Sequence, residues 1–137
     1  MTQICDGEIL YRYAKPEAFP PGQEEIPTSI FNDKELSCDW EKLQANPELS
    51  LHVESGKSVI VAITVCDAIR NPVNPRRTNQ MVDAWKQEIV HDPLAHDPSD
   101  NFTPNEAHAL VKGLKKVAVT DALRQNSKVH FINGKVA

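Results

Sequence analysis

The pattern of apolar and polar residues predicts several short strands, one of which is far more apolar than the others. The segment "SVIVAITVC" (58–66) is almost continuously apolar and rich in β-branched residues, which is typical of a strand buried on both faces. Mixed or alternating stretches at 8–13, 49–53, 108–113 and 128–132 also favour strands. Because the apolar strand needs cover on both sides, we expect helices or loops to pack on each face of a sheet.

Two segments have the spacing of an amphipathic helix, "TNQMVDAWKQEIV" (78–90) and "LKKVAVTDALRQN" (114–126). The inward-facing apolar residues of the first are Met81, Val82, Trp85 and Ile89. The segment 36–47 begins with strand-like alternation and predicts a strand that turns into a helix. The two Asn-Pro pairs in 70–77 predict a loop, and 28–31 predicts a short extended piece.

The order of these elements predicts an α+β fold. Strands and helices are interleaved without an internal repeat, which favours a mixed β-sheet with two principal helices packed on it. We expect a single α+β domain over residues 1–137, with frayed ends at about 1–6 and 133–137.

The composition is that of an ordinary globular domain. The chain has 137 residues, of which 40% are hydrophobic and 25% charged, enough to bury a core without cross-links. No apolar run approaches the roughly 18 residues that span a bilayer, and the first residues lack the basic-then-apolar order of a signal peptide. Cys5, Cys38 and Cys66 form no close pair, which predicts reduced thiols, a cytoplasmic location and no membrane partner.

Charge is distributed unevenly along the chain. The net charge is −4, yet residues 1–69 carry 12 acidic and 5 basic side chains, whereas residues 107–137 carry 6 basic and 1 acidic. This gradient indicates either complementary packing of the two halves or an anion-binding end. The candidate ligand-binding or anion-binding residues are Arg76, Arg77, Lys112, Lys115 and Lys116. The full phosphate-loop pattern is absent, and the net acidity argues against nucleic acid as a partner.

A histidine-rich segment, "HDPLAHDPSDNFTPNEAHA" (91–109), contains three of the five histidines. A metal site here would use His91, His96 and Asp97. The two histidines are five positions apart with a proline between them, which does not match a helical ligand pair. The segment therefore favours a shaped surface loop, and we predict no metal site and no cofactor. His108, at the head of a predicted strand, is the histidine to test first for acid–base chemistry or ligand binding.

Nucleophilic side chains are present without a diagnostic context. The candidates are Ser29, Ser37, Ser50, Ser55, Ser58 and Cys66. None of the serines lies in a G-x-S-x-G elbow, and chain order alone assigns no Ser/His/Asp set.

A series of short motifs runs from residue 9 to residue 125. They are Leu10-Tyr11-Arg12, Ser29 to Phe31, Leu36-Ser37, Asp92-Pro93, Glu106 to Ala109, Gly113 and Lys115. Together they resemble the pattern LYR…SxxF…LSV…DP…HAxVxGxK of a group of small uncharacterised bacterial proteins. This sequence departs from the group at Asn105-Glu106, where the group tends to have Asn-Pro. The resemblance implies a small prokaryotic cytoplasmic protein and no mechanism.

A second likeness concerns Arg12 and Ser29. An arginine and a serine in early strands, followed late in the chain by a glutamate at Glu106, are similar to the signature positions of ADP-ribosyltransferase-like toxins. That resemblance implies a catalytic role for Glu106 and a binding role for Arg12. The alternative is that Arg12 is an amphipathic strand residue whose stem packs against its neighbours.

Our leading expectation is a small cytoplasmic protein-interaction module, accessory or adaptor, without enzymatic activity, whose partner is another protein encoded nearby. It depends on the lack of a catalytic set, on the shaped polar loop and on the charge gradient. The alternatives are a small enzyme or ligand-binding protein that uses His108 with the 91–108 loop, and a weak phosphate or nucleic-acid contact protein.

Overall fold

The fold is built on one seven-stranded sheet. The computed structural model describes residues 3–19, 25–50, 53, 56–77, 80–94, 105–132 and 135–136. The strands are β1 (Ile9–Ala14), β2 (Glu35–Trp40), β3 (Val59–Thr64), β4 (Val73–Asn74), β5 (Gln80–Met81), β6 (Glu88–His91), β7 (His108–Lys112), β8 (Ser127–Ile132) and β9 (Lys135–Val136). The main sheet has the order β6-β7-β2-β1-β3-β8-β9, and β4 pairs with β5 in a separate hairpin.

Helices and tight turns complete the described part of the chain. The helices are α1 (Asp67–Arg70) and α2 (Val117–Gln125), and 3₁₀ turns lie at Pro16–Ala18, Thr28–Phe31, Pro47–Leu49 and Asp83–Trp85. The predicted α+β class, with a sheet and helices in one domain, is confirmed. Among the described residues no helix has the length and apolar character needed to cross a bilayer.

The strand pairs found are all antiparallel, so the sheet is more uniform than the mixed sheet expected. Parallel neighbours need a long crossover, usually a helix. The longer helix, α2, links β7 to β8, which are not neighbours in the sheet. The connection through α2 therefore does not place β7 and β8 side by side as a parallel pair.

Strand β3 is buried on both faces, as its sequence predicts. Val59, Val61 and Ile63 belong to the larger core, which also contains Leu123 of α2. On the opposite face, which we call the second face, Ile60 and Ala62 pack with Tyr11, Tyr13 and Phe131.

The two neighbours of β1 are held very differently. Strand β1 pairs with β3 over six residues, from Ile9 to Ala14. Its pairing with β2 covers only Leu10 with Trp40 and Tyr11 with Asp39. Beyond those two pairs, the Arg12 side chain reaches from β1 to the Ser37 carbonyl.

The predicted helix over 78–90 is wrong. Its described part contains β5, a 3₁₀ turn and β6. Met81, expected to face inward, is 52% exposed and pairs with Val73 in the hairpin. Ile89 is buried because β6 adds to the edge of β7. Pairing with distant strands therefore outweighs local helical periodicity.

Smaller corrections concern the segments that flank β2. Residues 28–31 form a 3₁₀ turn instead of an extended piece, and β2 ends in a turn instead of a helix. The strand predicted at 49–53 is replaced at its start by the Pro47–Leu49 turn. Ile4, inside the segment expected to fray, is 1% exposed, and Arg70 Nη2 donates to its carbonyl.

Candidate functional site

The imidazole of His108 joins a serine and an aspartate on the second face of the sheet. His108 is buried at the first position of β7. Its Nε2 lies 2.6 Å from Ser37 Oγ. Its Nδ1 lies 2.9 Å from the Asp92 carbonyl oxygen and 3.2 Å from Asp92 Oδ2. The three side chains therefore form a continuous Ser37–His108–Asp92 chain.

The partners of the ring determine its neutral tautomer. Both atoms near Nδ1 are acceptors, so Nδ1 carries the hydrogen and donates it to Asp92. Nε2 is then an acceptor, and the Ser37 hydroxyl donates to it. This assignment comes from the hydrogen-bonding partners, and it is the tautomer that a histidine needs in order to accept a serine proton.

Strand register explains why these residues meet. In the β2–β7 ladder, Ser37 is opposite Leu110 and Asp39 is opposite His108. Alternation along β2 puts Leu36, Cys38 and Trp40 in the larger core, so Ser37 and Asp39 point to the second face. Asp92 follows β6 directly, and its amide donates to the His108 carbonyl at 2.8 Å.

A second carboxylate, that of Asp39, lies beside this chain. Asp39 is 2% exposed. Its oxygens accept hydrogen bonds from the Tyr13 hydroxyl at 2.9 Å and from Asn105 Nδ2 at 2.8 Å. Residues directly opposite in an antiparallel ladder have Cβ atoms about 5 Å apart, so Asp39 is an immediate neighbour of His108. Positive charge on the imidazole would thus face two carboxylates.

Asn105 connects Asp39 to the turn that leads into β7. Its Oδ1 accepts from the Ala107 amide at 3.1 Å, and its backbone pairs with Leu94 through two hydrogen bonds of 2.9 Å. This pairing closes the base of the histidine-rich segment. Burial raises the pKa of Tyr13 well above its ordinary value, and the Asp39 charge adds to that effect. The Tyr13 phenol therefore stays a donor.

Arg12 supports the backbone of β2 with its guanidinium. Nη1 donates to the Ser37 carbonyl at 3.0 Å, Nε donates to the Ile30 carbonyl at 3.0 Å, and Nη2 contacts Asp33 at 2.9 Å. Glu106 is exposed, and its carbonyl lies 2.6 Å from His91 Nε2. In the described part of the chain, the Arg12 guanidinium contacts Ile30, Ser37 and Asp33 and forms no hydrogen bond or ion pair with Glu106, the other residue implied by the toxin likeness.

Of the three candidates for metal ligands, only His91 lies among the described residues. His91 packs against the Trp40 ring, with centroids 5.2 Å apart. His96 and Asp97 lie outside the described residues. Within the ranges that are described, no group of three or more His, Cys, Asp or Glu side chains could hold a metal ion.

The basic candidates fall into two groups. Lys115 points inward, and its ammonium donates to the carbonyls of Val111 and Gly113 at 2.9 Å and of Lys34 at 3.2 Å. Burial lowers the pKa of Lys115 to about 8. Arg76, Arg77 and Lys116 are exposed and Lys112 is half-buried. Lys115 is therefore a structural residue, unlike the exposed cations.

Part of this site was accessible to sequence reasoning. Alternation in 36–40 places Ser37 and Asp39 on one face, and His108 was singled out at the head of a strand. The chain order did not show that β2 and β7 are neighbours, so Ser37 could not be joined to His108. Tyr13, Asp39 and Asn105 were missed, and each is defined only by contacts with distant segments.

The chain matches no protein-family model, and its comparison with curated proteins and with solved structures finds no significant match.

Proposed function

We propose that the protein is a serine-dependent acyl-transfer enzyme that hydrolyses esters, with Ser37 as the nucleophile, His108 as the general base and Asp92 as the group that orients the imidazole. The observation that supports this proposal is the continuous chain from Ser37 Oγ through both nitrogens of His108 to Asp92. This proposal corresponds to the alternative drawn from the sequence, a small enzyme that uses His108.

The first step would form an acyl-enzyme. Ser37 Oγ attacks the ester carbonyl carbon while its proton passes to His108 Nε2. The imidazolium then returns that proton to the leaving alkoxide as the C–O bond breaks. In the second step water loses a proton to Nε2, adds to the acyl carbon and releases the acid, and Ser37 regains its proton.

The surroundings of the ring favour this proton transfer. Asp92 holds Nδ1–H from two oxygens, its carbonyl and its carboxylate. Asp39 adds a second negative charge on the same face, and Arg12 fixes the carbonyl of the nucleophile's own residue. Ser37 is only partly buried, and the proposal requires that a small ester reach its Oγ.

The direct test is covalent labelling with a fluorophosphonate, a probe that reacts with activated serines. Ser37 Oγ would displace fluoride from phosphorus, and the released proton would pass to His108. Peptide mass spectrometry should locate the phosphonate on Ser37 in the folded protein and find none after unfolding. Replacement of the exposed Ser29 by Ala is the matched control and should leave labelling unchanged.

Substitutions of His108 and Asp92 should lower the rate of fluorophosphonate labelling to different extents. His108→Gln should slow labelling by about 100-fold or more, because the general base is lost. Asp92→Asn should slow it less, because the Asp92 carbonyl at 2.9 Å still accepts Nδ1–H. The proposal fails if the folded protein carries no label on Ser37. It also fails if the His108→Gln variant is labelled as fast as the parent protein, because the Ser37–His108–Asp92 chain would then be only a structural hydrogen-bond network.

We further infer that the protein acts in the cytoplasm of a bacterial cell. Cys5, Cys38 and Cys66 are all free thiols, as is usual in a reducing compartment. Fractionation of cells that express the native gene would test this: recovery with periplasmic or secreted proteins would contradict it.

A further inference from the structure

We propose that the hairpin of β4 and β5, together with the start of α2, docks an acidic segment of a partner protein. We call this region the hairpin surface and define it by Val73, Arg76, Arg77, Met81, Trp85, Leu114, Lys116 and Val117. It is a separate site from the Ser37–His108–Asp92 chain, and it gives a location to the expected protein–protein contact.

Exposed apolar side chains are concentrated on this surface. Val73 and Met81 are cross-strand partners in the hairpin, and they are 41% and 52% exposed. Leu114 and Val117 precede and open α2, at 43% and 76% exposure. These four are a majority of the seven exposed large hydrophobic residues in the described part of the chain. Apolar residues exposed near one another are a common feature of interaction sites.

Gln87 shows that the hairpin side and the α2 side are adjacent. Its buried side chain donates through Nε2 to the carbonyl of Trp85 and to the carbonyl of Leu114, both at 2.9 Å. One amide nitrogen thus joins the segment that follows the hairpin to the segment that starts α2. Leu114 is therefore close to Trp85, which also lines the cavity at the hairpin.

A cavity of about 450 Å³ lies at the hairpin. Met81, Val82 and Trp85 supply apolar walls, and Asn74, Arg77, Gln80 and Asp83 supply polar ones. A cavity lined by both apolar and polar side chains can receive a single large anchor side chain with a polar neighbour. An aromatic or large aliphatic side chain that protrudes from a bound segment would therefore fill this cavity better than a flat partner surface would.

The charges around the cavity select an acidic partner. Arg76, Arg77 and Lys116 are exposed. The acidic Asp83, which also lines the cavity, forms an ion pair with Lys86 at 3.2 Å. Arg70 is paired with Asp6 at 3.1 Å, so the exposed positive charges of segment 70–77 are Arg76 and Arg77. Asp or Glu residues that flank the anchor would meet this local positive field.

The experiment is selection from a displayed random-peptide library on the folded protein, followed by fluorescence anisotropy with the enriched peptides. We expect enrichment of Asp and Glu around one aromatic or large aliphatic residue. The double change Arg76→Glu with Arg77→Glu should weaken binding by about tenfold or more, and Met81→Asp should do the same. Lys128→Glu, at an exposed lysine of β8, is the matched charge control and should leave binding unchanged.

Each other outcome would overturn the proposal. Enrichment without acidic residues, or binding that the hairpin changes do not weaken, would remove the hairpin surface from consideration. A dimer in sedimentation that the same changes dissociate would identify a second copy as the occupant. Stronger binding of anionic vesicles or duplex DNA would identify a different partner. Fluorophosphonate labelling of Ser37 should persist in the hairpin variants, so the two proposals can fail independently.

Discussion

Replacing Tyr13 by Phe removes one hydroxyl group from the second face, next to Asp39. The ring is 6% exposed, and its hydroxyl is 2.9 Å from Asp39 Oδ2. A hydrogen bond to a charged group contributes about 1.5–3 kcal/mol, and the 2%-exposed Asp39 would keep only its bond to Asn105 among those described. We therefore expect Tyr13→Phe to lower the free energy of unfolding by about 2–3 kcal/mol.

The chain provides a matched control in Tyr11, two residues earlier on the same face. Its hydroxyl donates to Glu41 Oε2 at 2.7 Å, but Glu41 is only half-buried and water can replace the phenol. Tyr11→Phe should therefore cost less than about 1 kcal/mol.

Urea unfolding followed by circular dichroism measures both changes, and an unchanged m-value would show that the same surface is exposed on unfolding. The expected difference comes from the burial of the acceptor, which is complete for Asp39 and partial for Glu41. Equal losses in the free energy of unfolding for the two variants would therefore contradict the prediction. A loss below about 1 kcal/mol for Tyr13→Phe would likewise show that Asp39 does not depend on this hydroxyl.

Three further predictions concern other groups. Burial raises the pKa of both Tyr11 and Tyr13. The stability that the two phenols contribute is therefore complete below the tyrosine pKa of the unfolded chain, about 10, and is lost as the pH rises beyond that value. Phenolate absorbance should appear together with unfolding, and its appearance in the folded protein would contradict this. Burial also raises the pKa of Cys38 to about 12, so thiol reagents at about pH 8 should modify the exposed Cys5 and reach Cys38 only after unfolding. Gly113→Ala should destabilise by about 2 kcal/mol or more, since φ is +148° and the new Cβ would lie 2.7 Å from a backbone carbonyl; a melting temperature equal to that of the parent would contradict this.

Sequence reasoning succeeded where a local pattern and the tertiary environment agree. The run over 58–66 predicts β3 because burial on both faces requires apolar residues at every position, and the structure buries five consecutive residues there. The segment 114–126 predicts a helix, and α2 occupies Val117–Gln125 with Val119 and Leu123 in the larger core, whereas Leu114 precedes the helix and is exposed. In both cases the pattern already reflects the final environment.

It failed where partners distant in sequence decide the conformation. The apolar residues of 78–90 fit one helical face, yet β7 takes Ile89 into the sheet and Val73 pairs with Met81. The same limit applies to the site. Ser37 and His108 are 71 positions apart, and only the β2–β7 register brings their side chains within hydrogen-bonding distance.

The short ladder between β1 and β2 divides the main sheet into two parts. Strands β6, β7 and β2 form one part and carry Ser37, His108 and, just beyond β6, Asp92. Tyr13 lies on β1, in the other part, and its hydroxyl donates to Asp39 of β2. Arg12 also lies on β1, and its side chain reaches the Ser37 carbonyl of β2 beyond the last backbone pair of the two strands. Ser37, His108 and Asp92 are therefore positioned by one part of the sheet, whereas Tyr13 and Arg12 contact Asp39 and the Ser37 carbonyl from the other part.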